Sequence, residues 1–245
     1  MGNSTDINNS ERYTPLIYSA KISLSRKIVE KISASIHYDW QSFEIIKHKT
    51  GSKLEVYNSP SISSGVGFKL IRNSSNAHYY PTSGSIQKFI FTKYNSAIGS
   101  DNNFSKCSFD LRKYISLNKL CVLSFQAYAG FSQGDIPLNR MYELDDFMRG
   151  IPTNLHPDAN IAVVCSEFKI FPWRGDYSKR IGFATFLEIG NVFDEFSNYE
   201  ISENKINYGL GFRYSLFSGD RLNFRFDIGF GENGSEITIK AREAF

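Results

Sequence analysis

The stretch Leu222-Asn223-Phe224-Arg225-Phe226-Asp227-Ile228-Gly229-Phe230 carries Leu, Phe or Ile at every second position, with Asn, Arg, Asp or Gly between them. Alternation with period two marks a strand with two unlike faces. Here one face is large and greasy and the other is charged or tiny. The preceding stretch repeats the theme, setting Tyr208, Leu210, Phe212, Tyr214 and Leu216 against Gly209, Gly211, Arg213 and Ser215. Phe217-Ser218-Gly219-Asp220 reads as the tight turn between the two. Before them, Ile181, Phe183, Thr185, Leu187 and Ile189 alternate with Gly182, Ala184, Phe186, Glu188 and Gly190. In a soluble sandwich the greasy face would turn to a core. In a membrane barrel it meets lipid while the polar face lines the lumen. Gly and Ala on that inner face leave room for something else to pack inside.

Weaker strand patterns precede these at about 14–25, 31–47, 54–72, 85–94, 103–115, 119–131 and 160–171, and a last strand is expected at about 236–245. That makes about eleven strands and no helical period. The loops alternate roughly between short and long, the longest being 132–159. Many amphipathic strands in an open sheet would leave reactive edges, and in lipid each unpaired backbone group is costly. The expected fold is therefore all-β, an antiparallel transmembrane β-barrel over 14–245. The Asn/Ser-rich residues 1–13 read as a disordered tail.

Hydrophobic residues make up 41% of the chain, yet the longest apolar run is Ile161-Ala162-Val163-Val164-Cys165. A membrane helix needs about 18 consecutive apolar residues. Aromatic residues reach 15%, with 21 Phe and 14 Tyr, which suits strands and the aromatic girdles of a barrel; Trp40 and Trp173 fall near strand ends. It also suits an aromatic-rich soluble sandwich or a lipocalin-like binder. A net charge of +3, without basic clusters interleaved with aromatics, implies no nucleic-acid partner. Cys107, Cys121 and Cys165 are too few and too scattered for a disulfide framework or a zinc site. His37, His48, His78 and His156 lack metal spacing, no G-x-S-x-G elbow is present, and Gly209-Leu210-Gly211 lies inside a strand. Asp145-Asp146 reads as a solvated or loop-ordering pair. No enzymatic activity, metal or cofactor is expected, and no secretory leader is visible at the start of the chain.

Seven short segments, in order, carry a resemblance. They are Tyr80-Pro81-Thr82-Ser83-Gly84; Gly99-Ser100-Asp101-Asn102-Asn103-Phe104 with Phe109-Asp110-Leu111-Arg112-Lys113-Tyr114; Ala129-Gly130-Phe131-Ser132-Gln133-Gly134-Asp135-Ile136-Pro137; Phe147-Met148-Arg149-Gly150-Ile151; Ser166-Glu167-Phe168-Lys169-Ile170-Phe171-Pro172; Phe186-Leu187-Glu188-Ile189-Gly190-Asn191-Val192-Phe193-Asp194; and Gly209-Leu210-Gly211-Phe212-Arg213-Tyr214, with the chain ending Ala241-Arg242-Glu243-Ala244-Phe245. Over about residues 60–245 the sequence resembles the barrel of the bacterial surface-antigen superfamily, which includes BamA, TamA and the FhaC-type secretion pores. The Phe147–Ile151 segment is similar to the family's VRGF motif.

That resemblance implies a long extracellular loop folded back into the lumen, with Arg149 and Gly150 at its tip and Arg149 paired with acidic residues of the wall. The alternation puts Glu188 on the inner face; Glu167 sits near a strand end and is the other candidate. Position 188 is Glu where the family usually has Asp. The resemblance also makes the last strand, with Ile237, Ile239 and Phe245, the one that closes the barrel. Family barrels have sixteen strands and periplasmic POTRA domains, of which none is seen here. About eleven or twelve strands therefore fit either a compact twelve-stranded relative or part of a sixteen-stranded barrel. The function implied is insertion or translocation of polypeptides at the bacterial outer membrane. The expected partners are outer-membrane lipids or lipopolysaccharide and client outer-membrane or secreted polypeptides. A small pore or surface antigen without insertase activity is the alternative.

Overall fold

A computed structural model describes residues 13–47, 60–152, 156–173, 180–216, 222–232 and 234–245. One eleven-stranded sheet contains every strand described, with each strand beside the next in sequence. The strands are β1 (Thr14–Val29), β2 (Ile32–Lys47), β3 (Ser61–Asn73), β4 (Gly84–Tyr94), β5 (Phe104–Ser116), β6 (Cys121–Gly134), β7 (Asn160–Ile170), β8 (Ile181–Phe193), β9 (Lys205–Ser215), β10 (Asn223–Gly231) and β11 (Gly234–Ala241). All pairings are antiparallel. Of the expected tail over 1–13 only Tyr13 is described, and it packs against Phe43, Ile45 and Leu138; strand residues 54–59 and the turn at 217–220 lie outside the described residues.

Alternation decides which way each side chain points. On β9, Tyr208, Leu210, Phe212 and Tyr214 are exposed on the outer face, while Asn207 and Arg213 are buried on the inner one. The same split on β8 and β10 exposes Phe183, Leu187, Phe224 and Phe226 and buries Phe186, Glu188 and Asp227. The interior is thus the polar side. Arg213 and Asp227 are fully buried and Glu167 is 1% exposed, the inverse of a soluble core and the arrangement of a membrane barrel.

The third strand begins at Ser61 in the described residues. A larger departure from the sequence pattern lies at the C-terminus. The strand expected to run to Phe245 ends at Ala241. Arg242 donates the final backbone hydrogen bond to Asn223 at 2.8 Å and then turns the chain with a φ of +87°. Glu243 points inward to Arg213, and Phe245, 6% exposed, joins the buried cluster that contains Tyr142, Leu144, Met148 and Ile151. Phe245 is therefore inside the sheet, off the strand that still exposes Ile237 and Ile239 on its outer face. Strand periodicity extrapolates a straight chain; here a buried arginine that needs a carboxylate bends it.

Among the described residues β1 pairs only with β2 and β11 only with β10, so the sheet is barrel-like but unclosed. β1 has 16 residues and β11 has 8. Ten antiparallel steps separate them, so the two edges run in the same direction.

Candidate functional site

The segment between β6 and β7 folds into the concave side of the sheet and crosses it. Its first contacts are on β2. Leu138 packs on Phe43 and Ile45, Asn139 donates to Gln41 Oε1 at 2.8 Å, and Arg140 reaches Asp39 at 3.3 Å while lying over the Tyr94 ring. Further along, Tyr142 donates through its hydroxyl to the Cys107 carbonyl at 3.3 Å and forms a two-bonded bridge with Asp158. Phe147 stacks on Tyr128 with ring centres 4.0 Å apart. Missing side chains on the wall make this close approach possible. A Cβ on Gly190 would stand 2.6 Å from Met148 Sδ, and one on Gly130 2.5 Å from the Tyr142 ring.

At the far side of the crossing Arg149 enters a buried set of charges. Glu188 of β8 holds it by main chain and side chain together: Oε2 accepts from the Arg149 backbone N–H at 2.6 Å and Oε1 from Nε at 2.7 Å. Nη1 donates to Glu167 of β7 at 2.5 Å and to Asp227 of β10 at 3.1 Å. The guanidinium lies over Phe186, its carbon 3.4 Å from the ring centre, and the Arg149 carbonyl accepts from Asn207 of β9 at 2.5 Å. One loop residue thus ties four consecutive strands. A guanidinium buried this deeply stays in place only where carboxylates surround it.

The cluster extends beyond the residues that the sequence pointed to. Arg213 of β9 donates to Glu167 at 2.9 Å, to Asp227 at 2.5 Å and to Glu243 at 3.1 Å. Lys169 of β7 lies 3.5 Å from Glu167 and 3.8 Å from Glu243, and Asn223 donates to Glu243. The structure brings Arg149, Glu167 and Glu188 together and places Gly150 against the backbone of Gly229. It does not bring Ile237 or Ile239 to this cluster. Sequence reasoning did not name Asp227, Arg213, Asn207 or Glu243 as partners of Arg149, and strand periodicity put Glu243 on the face of Ile237 and Ile239. Asp227 and Arg213 lay on inner faces already assigned by alternation, so the signal was there: an inward charge needs an inward partner.

Below this cluster the turn between β3 and β4 folds under the sheet. Gly84, with φ +98°, supplies the left-handed conformation that starts β4. Tyr80 is buried edge-on against Phe171 with centroids 5.4 Å apart, beside Val122. Arg242 lies 5.7 Å above the Tyr79 ring, linking this turn to the C-terminal bend. Among the described residues no group of His, Cys, Asp and Glu is placed to hold a metal ion.

Residues 2–238 match the sequence profile of the Omp85 superfamily domain. The chain belongs to the Omp85 superfamily. The match starts well upstream of the motifs that first suggested it. A similar solved structure is BamA from Haemophilus ducreyi lacking POTRA domains 1-3, with a TM-score of 0.70 over 93% of this chain and 53% of that one, at 15% identity. This chain therefore spans about half of the BamA chain, and the likeness concerns the fold. A comparison with curated proteins found no match. For an Omp85 domain the apolar outer face and charged interior are those of an outer-membrane β-barrel.

Proposed function

We propose that this Omp85 barrel inserts or translocates polypeptides at the bacterial outer membrane, with its apolar outer face against outer-membrane lipids or lipopolysaccharide. One observation carries the reading: an Omp85 domain over residues 2–238 sets an apolar outer face against a polar interior, and the loop between β6 and β7 folds into that interior, where Arg149 is tied to β7, β8, β9 and β10. An extended client segment adds to a sheet by β-augmentation at a strand edge. No bond-making chemistry, metal or cofactor enters this reading.

The test uses liposomes containing the refolded protein and a urea-unfolded outer-membrane barrel supplied from outside. Faster appearance of the folded, heat-modifiable client than in empty liposomes is expected. Equal rates with and without the protein, or unchanged outer-membrane protein levels in a deletion strain, refute the proposal.

A second reading, a small pore or surface antigen, draws on a different observation. The inner face of β1 offers Ser19, Lys21, Ser23 and Ser25, all exposed, a water-compatible wall. Conductance in planar bilayers that changes on deletion of 135–152 would favour it.

A further inference from the structure

A cavity of about 410 Å3 lies between the inward-folded loop and β11. Asp145 and Asp146 of the loop, Glu236 and Lys240 of β11, Arg225 of β10, Arg112 of β5 and Arg149 bring both signs of charge to its lining. Strand register sets the spacing. Glu236 pairs with Gly229, where the loop docks, and Lys240 pairs with Arg225. The two levels are four residues apart, or about 14 Å along the strand.

Arg225 is one of the buried cations that the described residues leave short of acceptors, and it lines the cavity. It is 7% exposed, and its Nε and Nη1 are buried with no hydrogen-bond partner among the described residues. The nearest carboxylate, Asp227, lies 3.3 Å from Nη1. That carboxylate already accepts from Arg149 at 3.1 Å and from Arg213 at 2.5 Å, so three guanidiniums share it. On the β5 side Arg112 and Lys88 likewise share Asp110, at 2.7 and 3.1 Å. Arg225 and Arg112 therefore each compete for a carboxylate that another cation already meets. A planar guanidinium fork with free donors matches a carboxylate or phosphate.

We infer that this chamber is a binding site for an oxyanion group, a carboxylate or a phosphate, gripped by Arg225 with the exposed Lys240 at its mouth. The inference goes beyond the polypeptide-insertion reading and holds whether or not that reading does. Two sources share the chemistry: a small free anion, and an acidic side chain of an extended polypeptide lying along β11.

The experiment is calorimetric titration of the refolded full chain, in an uncharged detergent at low ionic strength. The probes are inorganic phosphate and a pair of hydrophilic peptides that differ by one Glu or Gln. Wild-type protein is expected to bind, with affinity falling at least tenfold in Arg225→Gln. Binding of the Glu peptide and not the Gln peptide identifies a polypeptide carboxylate as the ligand. Phosphate binding without discrimination between the peptides identifies a small free anion. No binding of phosphate or the Glu peptide by wild type, or unchanged affinity in folded Arg225→Gln, overturns the inference. If Arg225→Gln does not refold, the exposed change Lys240→Gln decides: a severalfold loss supports the site and an unchanged affinity overturns it.

Discussion

Gly150 of the loop and Gly229 of β10 meet backbone to backbone. A Cβ on Gly150 would stand 2.8 Å from the Gly229 carbonyl carbon, and a Cβ on Gly229 would stand 2.8 Å from the Arg149 carbonyl carbon and the Gly150 nitrogen. Neither neighbour is a side chain that could swing away. This contact sets how deeply Arg149 can reach into the wall.

Gly229→Val is accordingly expected to push the loop off β10 while leaving the strand ladder paired. Trypsin cleavage after Arg140 and Arg149 should rise several-fold in the folded variant relative to wild type. Gly150→Ala adds about 1–2 kcal/mol of left-handed backbone strain at φ +82°. A digestion pattern identical to wild type in both variants would show that the contact does not hold the loop.

Arg149→Ala leaves Glu188 and Glu167 buried without their main counter-charge. Removing one partner of a buried ion pair costs about 3–5 kcal/mol, so the urea midpoint of unfolding should fall markedly. Arg149→Lys should recover only part of the loss, because a single ammonium cannot serve Glu188, Glu167 and Asp227 at once. Full recovery with Lys would contradict the fork geometry.

At the other end of the crossing, Asp39→Asn removes the carboxylate that meets Arg140. The pair is more open, with side chains 15% and 12% exposed, so the cost should be about 1 kcal/mol. The same denaturation series measures it, and a loss as large as that of Arg149→Ala would mean that the β2 contact is the stronger anchor.

Phe245→Ala empties a buried position, where loss of a Phe side chain costs about 3–5 kcal/mol. Ile239→Ala, on the exposed outer face of the neighbouring strand, should cost less than about 1 kcal/mol in detergent. Comparable effects from the two substitutions would place Phe245 outside the sheet, on the strand line.

Leu210→Arg tests the outer face. In a bilayer a cation near mid-depth of the lipid face of a barrel costs about 2–4 kcal/mol. Folding efficiency into lipid vesicles should drop accordingly, with little change for Ser23→Arg on the inner face of β1, where the side chain is exposed. Equal folding of Leu210→Arg and wild type in vesicles would argue against lipid contact at this position.

Several of these expectations follow from the sequence read alone. Alternation at 181–190, 208–216 and 222–230 gave the facing of each residue, and β8, β9 and β10 follow it side chain by side chain. The small inner residues Gly182 and Gly190 signalled close packing, and Phe171 and Met148 are what pack there. Glu188 could be assigned to the inner wall from its neighbours Phe186 and Gly190. Arg149 and its candidate partners came from motif resemblance rather than from periodicity, since a loop has no period to read.

Facing is a local property: a strand repeats every two residues, so the chain itself dictates which side chains share a side. Which of those side chains touch is not local. Arg149 meets Glu167, Glu188 and Asp227 across 18, 39 and 78 residues of sequence, through strand register and sheet curvature that no short segment encodes. The same holds for the bend at Arg242. Only the tertiary structure sets a buried Arg213 within reach of Glu243, and that attraction outweighs the straight strand that Ile237 and Ile239 begin. The sequence by itself determined a two-faced, barrel-forming sheet with a charged interior. Packing in three dimensions decided how the charges pair, where the loop docks, and that the final phenylalanine turns inward.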